Sequence, residues 1–339
     1  MGDAERYSRQ MRFAPIGAAG QEKLGASGVL IVGMGALGAV LANHMVRAGV
    51  GLVRFADRDY VEKSNLQRQM LYDEDDAAAG LPKAVAAERK LSRINSDVRL
   101  EPIVADVTAE NVEPLLRGVD VVLDGTDNFR TRLLLNDACY KHGVPFVYGG
   151  AVSSQGMSAV FLPGETSCLR CLIGSDPDGG GQTCDTIGVI SPIVDIVASF
   201  QAVEALKLLV GAADARRKSL LSLEIWRHQL FDMKLPPSKP DCPTCGARPG
   251  YPSLDVEESE TTTLCGRDTV QVRSPKPFDL DRLAAALAPI CAVERNPFLL
   301  RAALPEGERL VLFPDGRALV QGTEDIARAK SLFDRYIGG

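Results

Sequence analysis

The chain has 339 residues, of which 45% are apolar and 24% charged, the balance of a folded protein with a substantial core. At roughly 150 residues per domain, that length suits one large domain and a small one. The 38 Lys and Arg against 44 Asp and Glu leave a net charge of −6, which argues against non-specific nucleic-acid binding, because that needs a basic stripe.

The polar N-terminus has no signal-peptide core. The most apolar long stretch, residues 187–213, is interrupted by Asp195, Gln201, Glu204 and Lys207, so no membrane span is expected. A cytoplasmic protein is expected, in which the eight cysteines are metal-bound, catalytic or buried rather than disulfide-linked.

Residues 29–32 are a short aliphatic run ending in Gly33-Met34-Gly35-Ala36-Leu37-Gly38. A helical pattern over residues 39–48 closes at Gly49, and a second apolar run, 51–56, ends in Asp57. Strand, glycine turn, helix, strand is the start of a parallel α/β sheet. The rhythm repeats with a helix over 81–93, strands over 98–104 and 119–123, a helix over 131–141 and a strand over 144–148. After Gly149-Gly150 an antiparallel stretch is expected over 151–162, then a glycine-rich loop at 175–182 and a helix over 191–210. The proline-rich segment 234–252 reads as a boundary. Beyond residue 255 the pattern predicts strand, helix, two or three strands and a helix. The expectation is therefore an α/β chain: a Rossmann-like, mostly parallel sheet with an antiparallel extension over 1–252, and a small α+β unit over 255–339.

Glycines let the backbone approach a phosphate, and the following helix N-terminus offers N–H groups and a positive dipole end. Asp57, downstream of Gly38, stands where an acid bonds a ribose hydroxyl. These residues alone suit NAD as well as ATP. Ser64-Asn65-Leu66-Gln67-Arg68-Gln69 and Lys83 tilt the balance, because a departing pyrophosphate needs cations aimed at its developing charge. Ordinary solvated cations remain the alternative for Arg68 and Lys83. Asp124-Gly125-Thr126-Asp127-Asn128 ends a buried strand, where ligands bind in open sheets. Asp127 suits Mg²⁺, and helix capping is the alternative for both aspartates.

Cys168-x-x-Cys171 and Cys242-x-x-Cys245 are two pairs able to close a tetrahedral, structural zinc site, with four sulfurs leaving no position for water. Cys184 follows the glycine-rich loop and is a candidate nucleophile. His44, His142 and His228 have no metal spacing.

Together these motifs resemble the ThiF/MoeB adenylyltransferase family, relatives of the ubiquitin-activating enzymes. The resemblance rests on Arg6-Tyr7-Ser8-Arg9-Gln10, residues 33–38, Asp57-x-Asp59, residues 64–69, Lys83, residues 124–128, residues 183–192 and both cysteine pairs, in family order. It implies adenylation of the C-terminal Gly-Gly carboxylate of a ubiquitin-like, β-grasp sulfur-carrier protein, with Mg²⁺-ATP as cosubstrate and Zn²⁺ as a structural ion. It further implies that Gly33, Gly35 and Gly38 line the phosphate turn and that Asp57 holds the ribose. Asn65, Arg68 and Lys83 would contact phosphates, Asp127 would hold Mg²⁺, and Arg9 would reach in from the second subunit of a homodimer. In some members the cysteine matching Cys184 attacks the adenylate or transfers sulfur. A sulfurtransferase or cysteine desulfurase is a further implied partner, with thiamine or molybdenum-cofactor biosynthesis as the setting. The C-terminal unit departs from the best-known members, and Cys265 in it has no assigned role. The terminal Gly338-Gly339 reads as a helix stop rather than a carrier tail.

Overall fold

Residues 29–32 alternate between two covered faces, so every position must be apolar, and all are buried. They lie in β1 (Gly28–Val32), followed by β2 (Leu52–Asp57), β3 (Arg99–Val104), β4 (Val121–Asp124), β5 (Phe146–Val152), β6 (Gln155–Phe161), β7 (Ser219–Glu224) and β8 (Gln229–Lys234). The computed structural model describes residues 5–174, 187–256, 261–264 and 268–338. The chain divides into two compact units, Met1–Val256 and Glu257–Gly339.

In the first unit the eight strands form one sheet, ordered β3-β2-β1-β4-β5-β6-β7-β8. The first five are parallel, and β6 to β8 add antiparallel pairs. Its main helices are α1 (Gly17–Ala26), α2 (Ala36–Ala48), α3 (Lys83–Ile94), α4 (Phe129–His142) and α5 (Ser191–Val210). Short helical turns cover Ser8–Met11, Glu74–Ala78, Val112–Leu115 and Leu169–Ile173. Left-handed glycines, Gly49, Gly143 and Gly211, end α2, α4 and α5. Under α4 the core gathers Leu30, Val122, Leu135, Phe146 and Phe161.

Three elements differ from the sequence pattern for local reasons. Helix α3 begins at Lys83, not 81, because Pro82 is extended and its ring disfavours helical geometry at Leu81. Helix α2 begins at Ala36 and takes Gly38 inside it. Strand β5 does not stop at Tyr148 but runs through both glycines, which pair with Ser158 and Met157 of β6. The space a side chain at Gly149 would need is filled by Gln201 of α5, whose Oε1 would lie 2.1 Å from the added carbon.

The second unit holds a six-stranded antiparallel sheet, ordered β11-β12-β13-β14-β10-β9. Its strands are β9 (Thr261–Leu264), β10 (Thr269–Arg273), β11 (Ala292–Arg295), β12 (Leu300–Ala303), β13 (Arg309–Leu312) and β14 (Arg317–Gln321). That is more strands than the pattern predicts, because four of them have only four residues each and leave little periodicity to read. Helices α6 (Leu280–Leu287) and α7 (Ile326–Tyr336) seat Leu280, Leu287, Ala329 and Leu332 on Val270, Leu310 and Val320. Past α7 the Gly338 N–H bonds the Phe333 carbonyl, the geometry of a helix stop. Among the described residues no helix is long and apolar enough to cross a membrane.

A Cβ on Gly38 would sit 1.8 Å from the Gly33 carbonyl oxygen, whereas one on Gly25 in α1 meets nothing within 4 Å. Gly38→Ala should therefore cost about 3 kcal/mol or more in urea unfolding. Gly25→Ala should gain about 0.5 kcal/mol from helix propensity.

Candidate active site

The strand order reverses between β1 and β4, which makes the carboxyl ends of those strands a topological switch point, where open α/β sheets bind ligands. The two loops there touch backbone to backbone. A Cβ on Gly33, which has φ +86°, would lie 2.7 Å from the Gly125 carbonyl oxygen, and one on Gly125 would lie 2.3 Å from that of Gly33. Gly33 and Gly38 are thus demanded by chain packing. Gly35 is different, since its nearest neighbour is Gln69 Nε2 at 3.8 Å. It borders space in front of the first turn of α2, whose leading N–H groups have no helical partner.

Asp57 closes this turn from the end of β2. Its Oδ2 accepts from the Met34 N–H at 2.6 Å and its Oδ1 from the Asp59 N–H at 2.7 Å. Burial pushes its pKa up, against the opposing pull of Lys83. Each oxygen retains a second lone pair, so turn closure leaves room for a ribose hydroxyl. The Tyr72 hydroxyl lies 2.7 Å from the Met34 carbonyl and 3.2 Å from the Lys83 carbonyl, tying the turn to the start of α3.

Lys83 is not a solvated cation. It is 3% exposed, and its Nζ lies 3.2 Å from Asp59 Oδ2. Arg68 is half-buried and donates to the Ser64 carbonyl at 3.0 Å. Asn65 is buried and caps its own turn, its Oδ1 accepting from the Glu62 N–H at 3.1 Å. Beside it Gln69 is 3% exposed, and its Oε1 has no hydrogen-bond partner among the described residues. A buried orphan acceptor next to Gly35 suits a donor from a ligand. The sequence placed Gln69 in the polar run without a role.

At the end of β4 the two aspartates separate. Asp124 is fully buried, and its Oδ2 meets Arg132 Nε at 3.0 Å. Burial pushes the Asp124 pKa up, and the Arg132 guanidinium opposes this. Arg132 Nη2 also donates to the carbonyls of Thr126 at 2.7 Å and Gly149 at 3.0 Å, and its guanidinium lies 5.2 Å from the ring centroids of both Phe129 and Tyr148. Gln201 Nε2 donates to the Asp124 carbonyl at 2.9 Å. Capping of α4 falls to Asn128, whose Oδ1 accepts from the Thr131 N–H at 2.9 Å. Asp127, which follows the end of β4, is exposed. Arg132 and Gln201 carried no sequence signal, because each acts across an irregular loop or from a distant helix.

Arg9 lies in the short helical turn Ser8–Met11. Its neighbours anchor the segment: Tyr7 is buried and accepts from Asn95 Nδ2 at 2.7 Å, and Gln10 Nε2 donates to the Ala48 carbonyl at 2.9 Å. Arg9 itself is exposed.

The four zinc candidates converge. Cys168 and Cys242 sulfurs are 3.6 Å apart, those of Cys171 and Cys245 3.5 Å, and all four lie within 4.8 Å of one another. Thiolates about 2.3 Å from a tetrahedral zinc stand about 3.8 Å apart, so the donors fit that ion. Cys184 and Cys265 lie outside the described residues.

A family model described as the ThiF family matches residues 7–244. The chain belongs to the ThiF family. It is 49% identical over 338 residues to the sulfur carrier protein ThiS adenylyltransferase of Bacillus subtilis, covering 98% of this chain and 99% of that one. It is 38% identical over 253 residues to a sulfur carrier protein adenylyltransferase of Thermus thermophilus, covering 73% of this chain and 92% of that one. In fold this ThiF-family chain is similar to Escherichia coli MccB, solved with ATP, with TM-score 0.60 and 21% identity over 71% of this chain and 74% of that one. The first match spans both units, so the C-terminal unit is shared with that relative.

Two substitutions separate scaffold from ligand contact. Arg132→Met leaves Asp124 buried without its partner and should cost about 3–5 kcal/mol in chemical unfolding. Gly35→Ala should leave the unfolding midpoint nearly unchanged but weaken ATP, measured calorimetrically, by roughly tenfold or more, since about 1.4 kcal/mol suffices.

Proposed function

We propose that this chain is an ATP-dependent adenylyltransferase acting on the C-terminal Gly-Gly carboxylate of a ubiquitin-like sulfur-carrier protein, ahead of thiocarboxylate formation in thiamine or molybdenum-cofactor biosynthesis. The observation that carries this reading is 49% identity, over nearly the whole of both chains, to a ThiS adenylyltransferase. The switch-point cluster supports it, because a buried Lys83 and a half-buried Arg68 stand beside the phosphate turn. A nicotinamide reading of the glycines leaves these cations and the cysteine pairs without a task.

In this reading the carrier carboxylate oxygen attacks the α-phosphorus, the bond to the bridging oxygen breaks, and pyrophosphate leaves with the electron pair. No proton or covalent enzyme group is required, so catalysis consists of positioning and charge neutralisation. Gly35 and the leading amides of α2 hold phosphate, Asp57 orients the ribose, and Asn65, Arg68 and Lys83 meet the charge that develops on the pyrophosphate. Lys83 is kept in place by Asp59 and Arg68 by the Ser64 carbonyl. Asp127 is the residue to hold Mg²⁺, which supplies further charge neutralisation when bound. Gly150 would border the narrow path of the Gly-Gly tail, whereas the bare face of Gly149 is taken up by Gln201. Arg9, carried outward by the anchored Tyr7 and Gln10, is assigned to the neighbouring subunit's site in a homodimer. Cys184 is a candidate acceptor of the acyl group, with a sulfurtransferase or cysteine desulfurase as the sulfur source. A cytoplasmic location accords with this chemistry.

Pyrophosphate exchange into ATP tests the proposal: exchange should depend on one Gly-Gly carrier and vanish when its last glycine is removed. No exchange with any Gly-Gly carrier from the same genome would overturn it. Arg68→Ala should lower the exchange rate about 10²-fold with little loss of stability. Equal mixtures of Arg9→Ala and Asp127→Asn chains, refolded together, should recover about a quarter of wild-type activity, because half the dimers are mixed and each holds one intact site. Recovery of none would place Arg9 in its own chain's site.

A further inference from the structure

The two cysteine pairs are joined by more than sulfur. Asp137 of α4 is fully buried, and groups from both pairs converge on its carboxylate. Arg170, between Cys168 and Cys171, donates from Nη2 to Oδ2 at 2.9 Å. Thr244, between Cys242 and Cys245, donates its hydroxyl to Oδ1. The Ser253 N–H, beyond the second pair, donates to Oδ2 at 2.9 Å, and Asn136 Nδ2 to Oδ1 at 3.2 Å. The knuckles also meet directly, Arg170 Nε reaching Thr244 Oγ1 at 3.2 Å and Nη2 reaching Ser253 Oγ at 2.9 Å. Asn136 Oδ1 accepts from the Leu169 N–H at 2.9 Å, so adjacent residues of α4 grip the first pair at two points.

This arrangement has a physical consequence. The paired sulfurs are 74 positions apart in the chain, and bringing such distant segments together costs loop-closure entropy. An ion that had to close that loop unaided would lose affinity by the same amount. A buried carboxylate with four donors, one of them a guanidinium, is a strong and directional anchor. Its bonds join the two turns through groups other than the sulfurs.

We propose that Asp137 is the positioning residue of the metal site: through Arg170 and Thr244 it pre-assembles the two cysteine turns so that the four thiolates converge before zinc binds. The proposal rests on the zinc reading above. Asp137 touches no sulfur, so it acts on affinity through backbone placement, as residues outside the ligand set of metal sites do.

The test uses the full-length chain. Zinc affinity is measured by competition with a chromophoric chelator for wild type, Asp137→Asn and Thr244→Val, and amide exchange is followed over residues 242–253 in chain stripped of metal. Asp137→Asn should weaken zinc about 10- to 100-fold, and Thr244→Val about 10-fold. The stripped wild type should keep protection in that segment, and the stripped variants should lose it. Folded Asp137→Asn with wild-type affinity and protection would overturn the proposal. If Asp137→Asn does not fold, Thr244→Val decides, since it keeps the Asp137–Arg170 pair and removes one hydroxyl; unchanged affinity and protection would overturn the proposal equally. A wild-type chain that binds no zinc would instead refute the zinc reading, while the exchange measurement would still report on the clamp.

Discussion

The close approach of two backbone turns organises the first unit. Gly33 and Gly38 after β1 and Gly125 after β4 meet with no space for a side chain, and a Cβ on any of them would overlap a carbonyl oxygen. That contact draws the carboxyl ends of β1 and β4 together at the point where strand order reverses. Asp57 and Tyr72 brace one side through Met34, and the buried Asp124–Arg132 pair braces the other. Gly35 is not so constrained, since a side chain there would meet only Gln69 Nε2, at 3.8 Å. Within one short motif, then, Gly33 and Gly38 are fixed by packing and Gly35 is not.

Helix α4 links this region to the cysteine cluster. Its cap, Asn128, adjoins Asp127. One turn further along, Arg132 reaches back to the end of β4 and to β5. Beyond that, Asn136 and Asp137 hold the turns that bear the four cysteines. A single rigid helix of 14 residues thus carries contacts to both places. The cysteine cluster, far along the chain from the glycine turn, is thus held by the same helix that begins beside Asp127.

Much of this was legible in the sequence, and the limits have physical causes. Apolar runs ending in Gly33, Asp57 and Asp124 marked the parallel strands, since strands buried on both faces must be apolar throughout. The CxxC spacing announced the sulfur cluster. Arg132, Asp137 and Gln201 gave no signal, because a polar residue inside a helix looks solvated until its distant partner is known. Lys83 was ambiguous for the same reason: burial against Asp59 depends on tertiary contact, which spacing does not encode. In the second unit the four-residue strands were too short to show a period of two. The glycines at 149 and 150 suggested a strand end, yet α5 supplies Gln201 to fill the gap and the strand continues.

The most direct test of the account is the identity of the bond broken in ATP and the fate of the carrier. The protein would be incubated with ATP and a Gly-Gly carrier, and the carrier's intact mass and the nucleotide products would be measured together. The account predicts a carrier heavier by one adenylyl group at its C-terminal glycine, with pyrophosphate released in step. An unmodified carrier with ADP and phosphate as products would contradict it, because the charged cluster would then be serving cleavage at the γ-phosphate rather than attack at the α.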